Sequence, residues 1–211
     1  MSAFAECRNV VALLEHFAAA AGDGETVWAR LEWLDGGTVR TLLREYRPRP
    51  VPEDCVRCLI GEVAKGLADI HRAGWMHRDV KAENIGISGR PPRNCRVRIL
   101  DFDTAVAVPK GSHLSEQIGT VENMAPEVYA ARYTEAADCW SLGVVTYELL
   151  FGYRPFNDVS VGAIEQMVRS WQKYLMLPSD ATRTQAAFVR SLLTAEEQRL
   201  PMCNVATHSW L

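Results

Sequence analysis

His77-Arg78-Asp79-Val80-Lys81-Ala82-Glu83-Asn84 is the stretch around which the rest of the sequence can be read. It gathers a carboxylate that can accept a proton from a hydroxyl (Asp79), an ammonium that can meet a phosphoryl group (Lys81) and an amide oxygen that can bind a divalent cation (Asn84). Upstream, Val56, Ile60, Val63, Leu67 and Ile70 recur at helical spacing to about Ala73, and Gly74 stops the pattern. Downstream, Ile85–Ile87 and Val97–Leu100 read as short strands joined by a polar turn with two prolines. Asp101 follows the second strand, a further hard oxygen ligand suited to Mg2+.

Further out the pattern changes character. Residues 10–17 (VVALLEHF) and 26–34 (TVWARLEWL) are rich in β-branched and aromatic residues and flank Gly22-Asp23-Gly24, so they read as a hairpin. Asp35-Gly36-Gly37 breaks the second strand, a short helix is expected at about 38–45, and Pro48 to Pro52 form a rigid connector. Residues 102–133 lack periodicity and read as one long loop, a length usually tied to function or disorder. Helices are expected again at roughly 137–151, 160–170, 184–194 and 203–209. The order predicts an α+β fold, mostly helical, with a hairpin in front.

The 211 residues are 48% apolar and 23% charged, ordinary for one globular core. A net charge of -3 gives no bulk electrostatic reason to expect nucleic acid or an anionic membrane. No apolar run reaches the roughly 18 residues that span a bilayer. Glu15 and His16 interrupt the one stretch, VVALLEHFAAAAG, that resembles a signal peptide. The expectation is a cytoplasmic protein, with the nucleus left open. The six cysteines are scattered, and the single C-x-x-C (Cys55, Cys58) sits in a helical pattern with no second pair at zinc spacing. They read as ordinary thiols in a reducing compartment.

The octet resembles the protein-kinase catalytic loop H-R-D-x-K-x-x-N, and Asp101-Phe102-Asp103 resembles the metal-binding D-F-G. Met124-Ala125-Pro126-Glu127 is similar to the A-P-E that closes the activation segment. Asp138-Cys139-Trp140-Ser141-Leu142-Gly143 is similar to the D-x-W-S-x-G of the family's buried helix, and Arg199 lies where the family pairs an arginine with the A-P-E glutamate. A lone H-R-D says little, because each residue also fits a plain structural role. Five ordered motifs cover essentially the whole chain, and fold alone does not force Asp79, Lys81, Asn84 and Asp101 into one array.

The resemblance to eukaryotic Ser/Thr protein kinases implies a protein-kinase-like fold, with residues 1–34 the remnant of the small lobe and 35–211 the large helical lobe. It implies that Asp79 orients and deprotonates the substrate hydroxyl, Lys81 neutralises the γ-phosphate, and Asn84 and Asp101 hold Mg2+. Lys81 is typical of Ser/Thr kinases, and Thr120 matches its usual companion. Leu31-Glu32-Trp33-Leu34 looks like the hinge. The backbone of Glu32 and Leu34 is then expected at adenine, with Thr38 near the ribose in place of the family's common acidic residue. The expected partners are ATP and a protein bearing Ser or Thr; oligomeric state is not readable. Ile118-Gly119-Thr120 through Pro155-Phe156 most resembles the calcium/calmodulin-dependent group.

Some features depart from the family. The chain starts after the point where kinases place the Gly-rich loop, the strand-borne lysine and most of helix C. Its four lysines (Lys65, Lys81, Lys110, Lys173) include no substitute. Asp103 replaces the D-F-G glycine, and Gly86 stands where a bulky residue commonly floors the adenine site. Weak or no phosphoryl transfer by these residues alone is therefore expected, and the alternative is a catalytically dead, kinase-like scaffold. Arg78 beside Asp79 implies control by phosphorylation, with Ser112, Ser115 and Thr120 as the available hydroxyls. Glu148 and Asp158 are read as contacts for a basic substrate.

Overall fold

A computed structural model describes Phe4, residues 7–21 and residues 24–211. Strands β1 (Leu13–Ala21) and β2 (Gly24–Leu31) pair antiparallel, with Phe17 opposite Trp28. The Gly22-Asp23 part of the expected turn lies outside the described residues. Val10 and Val11, expected in the first strand, leave it. They are buried, and Val11 N–H donates to Ile99 O at 3.0 Å, because the apolar core of the helical part takes them first.

Helix α1 (Val39–Tyr46) starts at Thr38, whose hydroxyl accepts from Thr41 N–H in a capping box. The segment before it runs along the next hairpin: Gly36 N–H donates to Ile87 O at 2.9 Å and Ile87 N–H to Gly37 O at 2.8 Å. Helix α2 (Glu53–Arg72) buries the stripe Val56, Leu59, Ile60, Val63, Leu67 and Ile70, and Gly74 follows with φ of 77°.

Strand β3 (Trp75–Met76) comes next, then β4 (Ile85–Ser88) paired with β5 (Arg96–Ile99), and β6 (Val106–Ala107), which returns to β3. The expected structureless loop is therefore not uniform: it carries β6, a 3-10 turn at Val121–Asn123 and helix α3 (Pro126–Tyr129). Elements this short leave no periodicity to read.

Helix α4 (Ala136–Phe151) is buried at every position from Ala137 to Leu150. A helix hidden all round must run through the middle of the core. Trp140 stacks on Phe156 at 5.9 Å and meets Trp171 edge-on at 6.0 Å. Helices α5 (Val161–Arg169), α6 (Trp171–Tyr174), α7 (Arg183–Leu192) and α8 (Met202–Val205) complete the order. Among the described residues, no helix is long and apolar enough to cross a membrane.

Candidate active site

The octet between β3 and β4 is held from below by one buried carboxylate. Asp138, on α4, accepts from His77 N–H at 2.9 Å and Arg78 N–H at 3.0 Å, and its Oδ2 lies 2.8 Å from His71 Nε2. Burial raises the Asp138 carboxyl, but the hydrogen bonds from the His71 ring and His77 N–H outweigh it and hold it below the usual range. His77 is fully buried. Asp79 N–H donates to its Nδ1 at 3.2 Å, which fixes the proton on Nε2, 2.9 Å from Leu100 O. The histidine thus ties the octet to the strand that precedes Asp101.

Arg78 sits at φ of 69°, a strained conformation for a bulky side chain. Its guanidinium secures the turn by donating to Thr104 O at 2.5 Å and Glu116 Oε2 at 2.9 Å. Glu116 already occupies the place in which the sequence invited a phosphate. Ser112 Oγ–H donates to Pro109 O at 2.6 Å.

Around Asp79 four groups converge. Lys81 Nζ donates to Oδ2 at 2.6 Å, and Asn84 Nδ2 donates to the same oxygen at 3.1 Å and to Asp79 O at 3.0 Å. Thr120 donates twice to Oδ1, from Oγ1 at 2.7 Å and from N–H at 3.0 Å, while its Oγ1 accepts from Lys81 at 3.0 Å. Gly119 makes this approach possible: at φ of 127° it lies so near Arg78 O that a Cβ would stand 2.6 Å away. Burial raises the Asp79 carboxyl, yet Lys81 and Thr120 outweigh it and keep it lowered. An ionised, oriented carboxylate results, able to accept a hydroxyl proton.

Asn84 has used its amide nitrogen on Asp79, which leaves the oxygen as a lone-pair donor. Asp101 is exposed at φ of 61°, with Oδ1 3.4 Å from Asp103 N. Two hard oxygens fit Mg2+, which is commonly held by one or two side chains together with substrate phosphates.

The residues expected at adenine already have partners within the chain. Glu32 N–H donates to Ala12 O at 3.0 Å, and its carboxylate takes Arg98 Nε at 2.6 Å and Ala12 N–H at 2.9 Å, so this residue pins the hairpin to β5. The Thr38 hydroxyl is engaged in capping α1 rather than left open for a ribose. The Leu34 side chain fills the space over Gly86, where a Cβ would stand 2.3 Å from Leu34 Cδ1. Gly86→Leu is expected to lower stability by about 1–3 kcal/mol in urea unfolding, and a second change, Leu34→Ala, to restore most of it. Additive losses in the double variant would show that the two side chains do not compete for one space.

Glu148, read in the sequence as a contact for a basic substrate, has arginine partners within the chain. It is buried, clasped by Arg40 at 2.6 and 3.1 Å, with Arg154 at 3.6 Å, and Arg40 also takes Glu83 at 2.7 Å. Asp158 Oδ1 accepts from Ser160 N–H at 3.0 Å. None of the four lysines lies on β1 or β2. Sequence reading missed Arg40, Glu116 and His71, whose partners are distant in the chain.

The last motif closes on itself: Arg199 pairs with both oxygens of Glu127 and donates to Ala136 O and Thr194 O, each at 2.8 Å. The protein kinase domain family matches the chain over residues 1–211. The chain belongs to that family. Among curated relatives, the kinase domain is 30% identical over 189 residues to serine/threonine-protein kinase MRCK gamma of Mus musculus, covering 84% of this chain and 12% of that protein. It is 28% identical over 223 aligned positions to citron rho-interacting kinase of Rattus norvegicus (99% and 11%), and 33% over 193 to an Aurora kinase of Eremothecium gossypii (90% and 50%). The kinase domain thus spans from about a ninth to half the length of these relatives. They lend no support to the calcium/calmodulin-dependent grouping. Part of the stretch that suggested it, Thr120 above all, serves Asp79 and so reports catalytic-loop geometry, not a subgroup.

Proposed function

We propose that this kinase domain transfers the γ-phosphoryl group of ATP to a serine or threonine hydroxyl of a protein. The network of Lys81, Thr120 and Asn84 on Asp79 carries the reading. It keeps one carboxylate ionised and aimed, while Lys81 lies beside it to offset phosphate charge. Asp79 orients the hydroxyl and takes its proton; Asn84 and Asp101 would hold Mg2+, which when bound neutralises charge on phosphate oxygens. Glu32 and Leu34 line the adenine side, with Thr38 near the ribose. Residues 1–34 are assigned to the small lobe and 35–211 to the large one. The reading carries an intracellular setting, where ATP and Mg2+ are at hand.

A second reading, a docking lobe without catalysis, rests on Leu34 over Gly86. The test compares Mg2+-dependent ATP binding and phosphoryl transfer to Ser/Thr peptides for the chain, Asp79→Asn and Asp101→Ala. Asp79→Asn is expected to keep ATP binding and lose transfer by about 10²- to 10⁴-fold. Asp101→Ala is expected to lose the Mg2+ dependence of binding. Undiminished transfer in Asp79→Asn would overturn the catalytic assignment. Absence of ATP binding by folded wild-type chain would favour the docking lobe.

A further inference from the structure

The Arg78 side chain keeps only 8% of its exposure, whereas that of Glu116, its ion-pair partner at 2.9 Å, keeps 69%. Among the described residues Glu116 supplies the one carboxylate that this guanidinium meets; its other printed acceptor is Thr104 O at 2.5 Å. A cation withdrawn from water needs a counter-charge, and here the charge comes from a segment that forms neither helix nor strand. Glu116 is gripped at both ends. Buried Tyr133 donates its hydroxyl to Glu116 O at 2.7 Å and exchanges backbone hydrogen bonds with Leu114 at 2.9 and 3.1 Å. Gln117 Nε2 donates to Tyr129 O at 3.0 Å. Four residues beyond Glu116, Thr120 makes its two bonds to Asp79, just past Gly119 packed against Arg78 O. Arg78 therefore meets the segment twice, with its guanidinium at Glu116 and its carbonyl at Gly119.

We propose that Glu116 is a positioning residue, a fixed counter-charge on Arg78 that holds residues 114–120 in the shape that delivers Thr120 to Asp79. The carboxylate is part of the chain, so this order needs no phosphate on Ser112 or Ser115. Its exposed side costs little to desolvate, while its buried partner has no second carboxylate to turn to. Losing the charge at position 116 thus releases the segment locally and leaves the core of the lobe intact. The effect on transfer rests on the catalytic reading of Asp79; the anchoring of Thr120 does not.

The test measures amide exchange at Thr120 and proteolysis within residues 109–120 in the phosphatase-treated full chain, alongside transfer to a Ser/Thr peptide and ATP binding. Wild type is expected to protect Thr120 without phosphate, and Ser112→Ala with Ser115→Ala to leave that protection unchanged. Glu116→Ala should speed exchange and cleavage about tenfold, as expected for one lost charge-assisted hydrogen bond. Its Tm should move by less than about 4 °C. Glu116→Gln should behave like Glu116→Ala, because Arg78 needs the charge, and Glu116→Asp should recover part of the protection. In these variants kcat should fall with Thr120 protection while ATP binding stays as in wild type. Unchanged Thr120 exchange in Glu116→Ala or Glu116→Gln would overturn the proposal. So would protection of Thr120 that appears only once Ser112 or Ser115 carries phosphate, or a Tm loss with faster exchange across the whole lobe. A wild-type chain that binds ATP yet transfers nothing would sink the catalytic reading instead, and the Thr120 exchange comparison would still decide the role of Glu116.

Discussion

Asp138→Asn is expected to lower unfolding free energy by about 3–5 kcal/mol and Tm by roughly 10 °C, measured by urea and thermal unfolding. Asp138 is fully hidden and serves three partners from two segments: the His77 and Arg78 N–H groups and the His71 ring. Asparagine keeps the shape but offers one acceptor oxygen and no charge, leaving a buried donor unmatched. The strained backbone at Arg78 loses part of its hold as well. A loss below about 1 kcal/mol would mean that the octet is fixed from above, by Arg78 and Glu116, and not by α4.

The sign of the pH dependence follows from the same carboxyl. Because Asp138 is lowered in the fold, its stabilisation is complete above the unfolded carboxylate value of about 4 and is lost as pH falls through the folded value. Other lowered carboxyls (Glu32, Asp35, Glu62, Asp79 and Glu83) act in the same direction. Asp138→Asn should therefore unfold with a shallower acid limb than wild type, without abolishing it. An unchanged limb would remove Asp138 from this account.

What the sequence made legible was what repeats or clusters along the chain. The α2 stripe from Val56 to Ile70, the Thr38 start of α1 and the octet all report local rules, and the structure places them near the expected positions. The Asp79 array was partly legible, since Lys81 and Asn84 stand within five residues of it. Pairings across the chain were not. Glu148 looked like a free acid because nothing local marks Arg40 as its clasp, and Glu116 looked like any loop carboxylate until Arg78 reached it. Leu34 over Gly86 is similar, being a packing substitution between two distant segments that each look ordinary alone.

Glu127→Ala should cost about 3–5 kcal/mol, because it strands a cation whose side chain has no solvent exposure. Arg199 lies over the Trp140 ring at 5.2 Å, and its Nε finds no hydrogen-bond partner among the described residues. Without Glu127, only Ala136 O and Thr194 O remain as acceptors. Replacing both charges, Glu127→Leu with Arg199→Met, should recover roughly half the loss, since no buried charge is left unpaired. The position matters because Glu127 sits on α3 at the end of the segment that delivers Thr120 to Asp79. In the single variant, proteolysis within residues 109–132 should quicken before global unfolding, while in the double variant it should slow again. Equal losses in the single and double variants would mean that the carboxylate acts only through its own packing, and the ion pair would no longer account for how the activation segment is anchored.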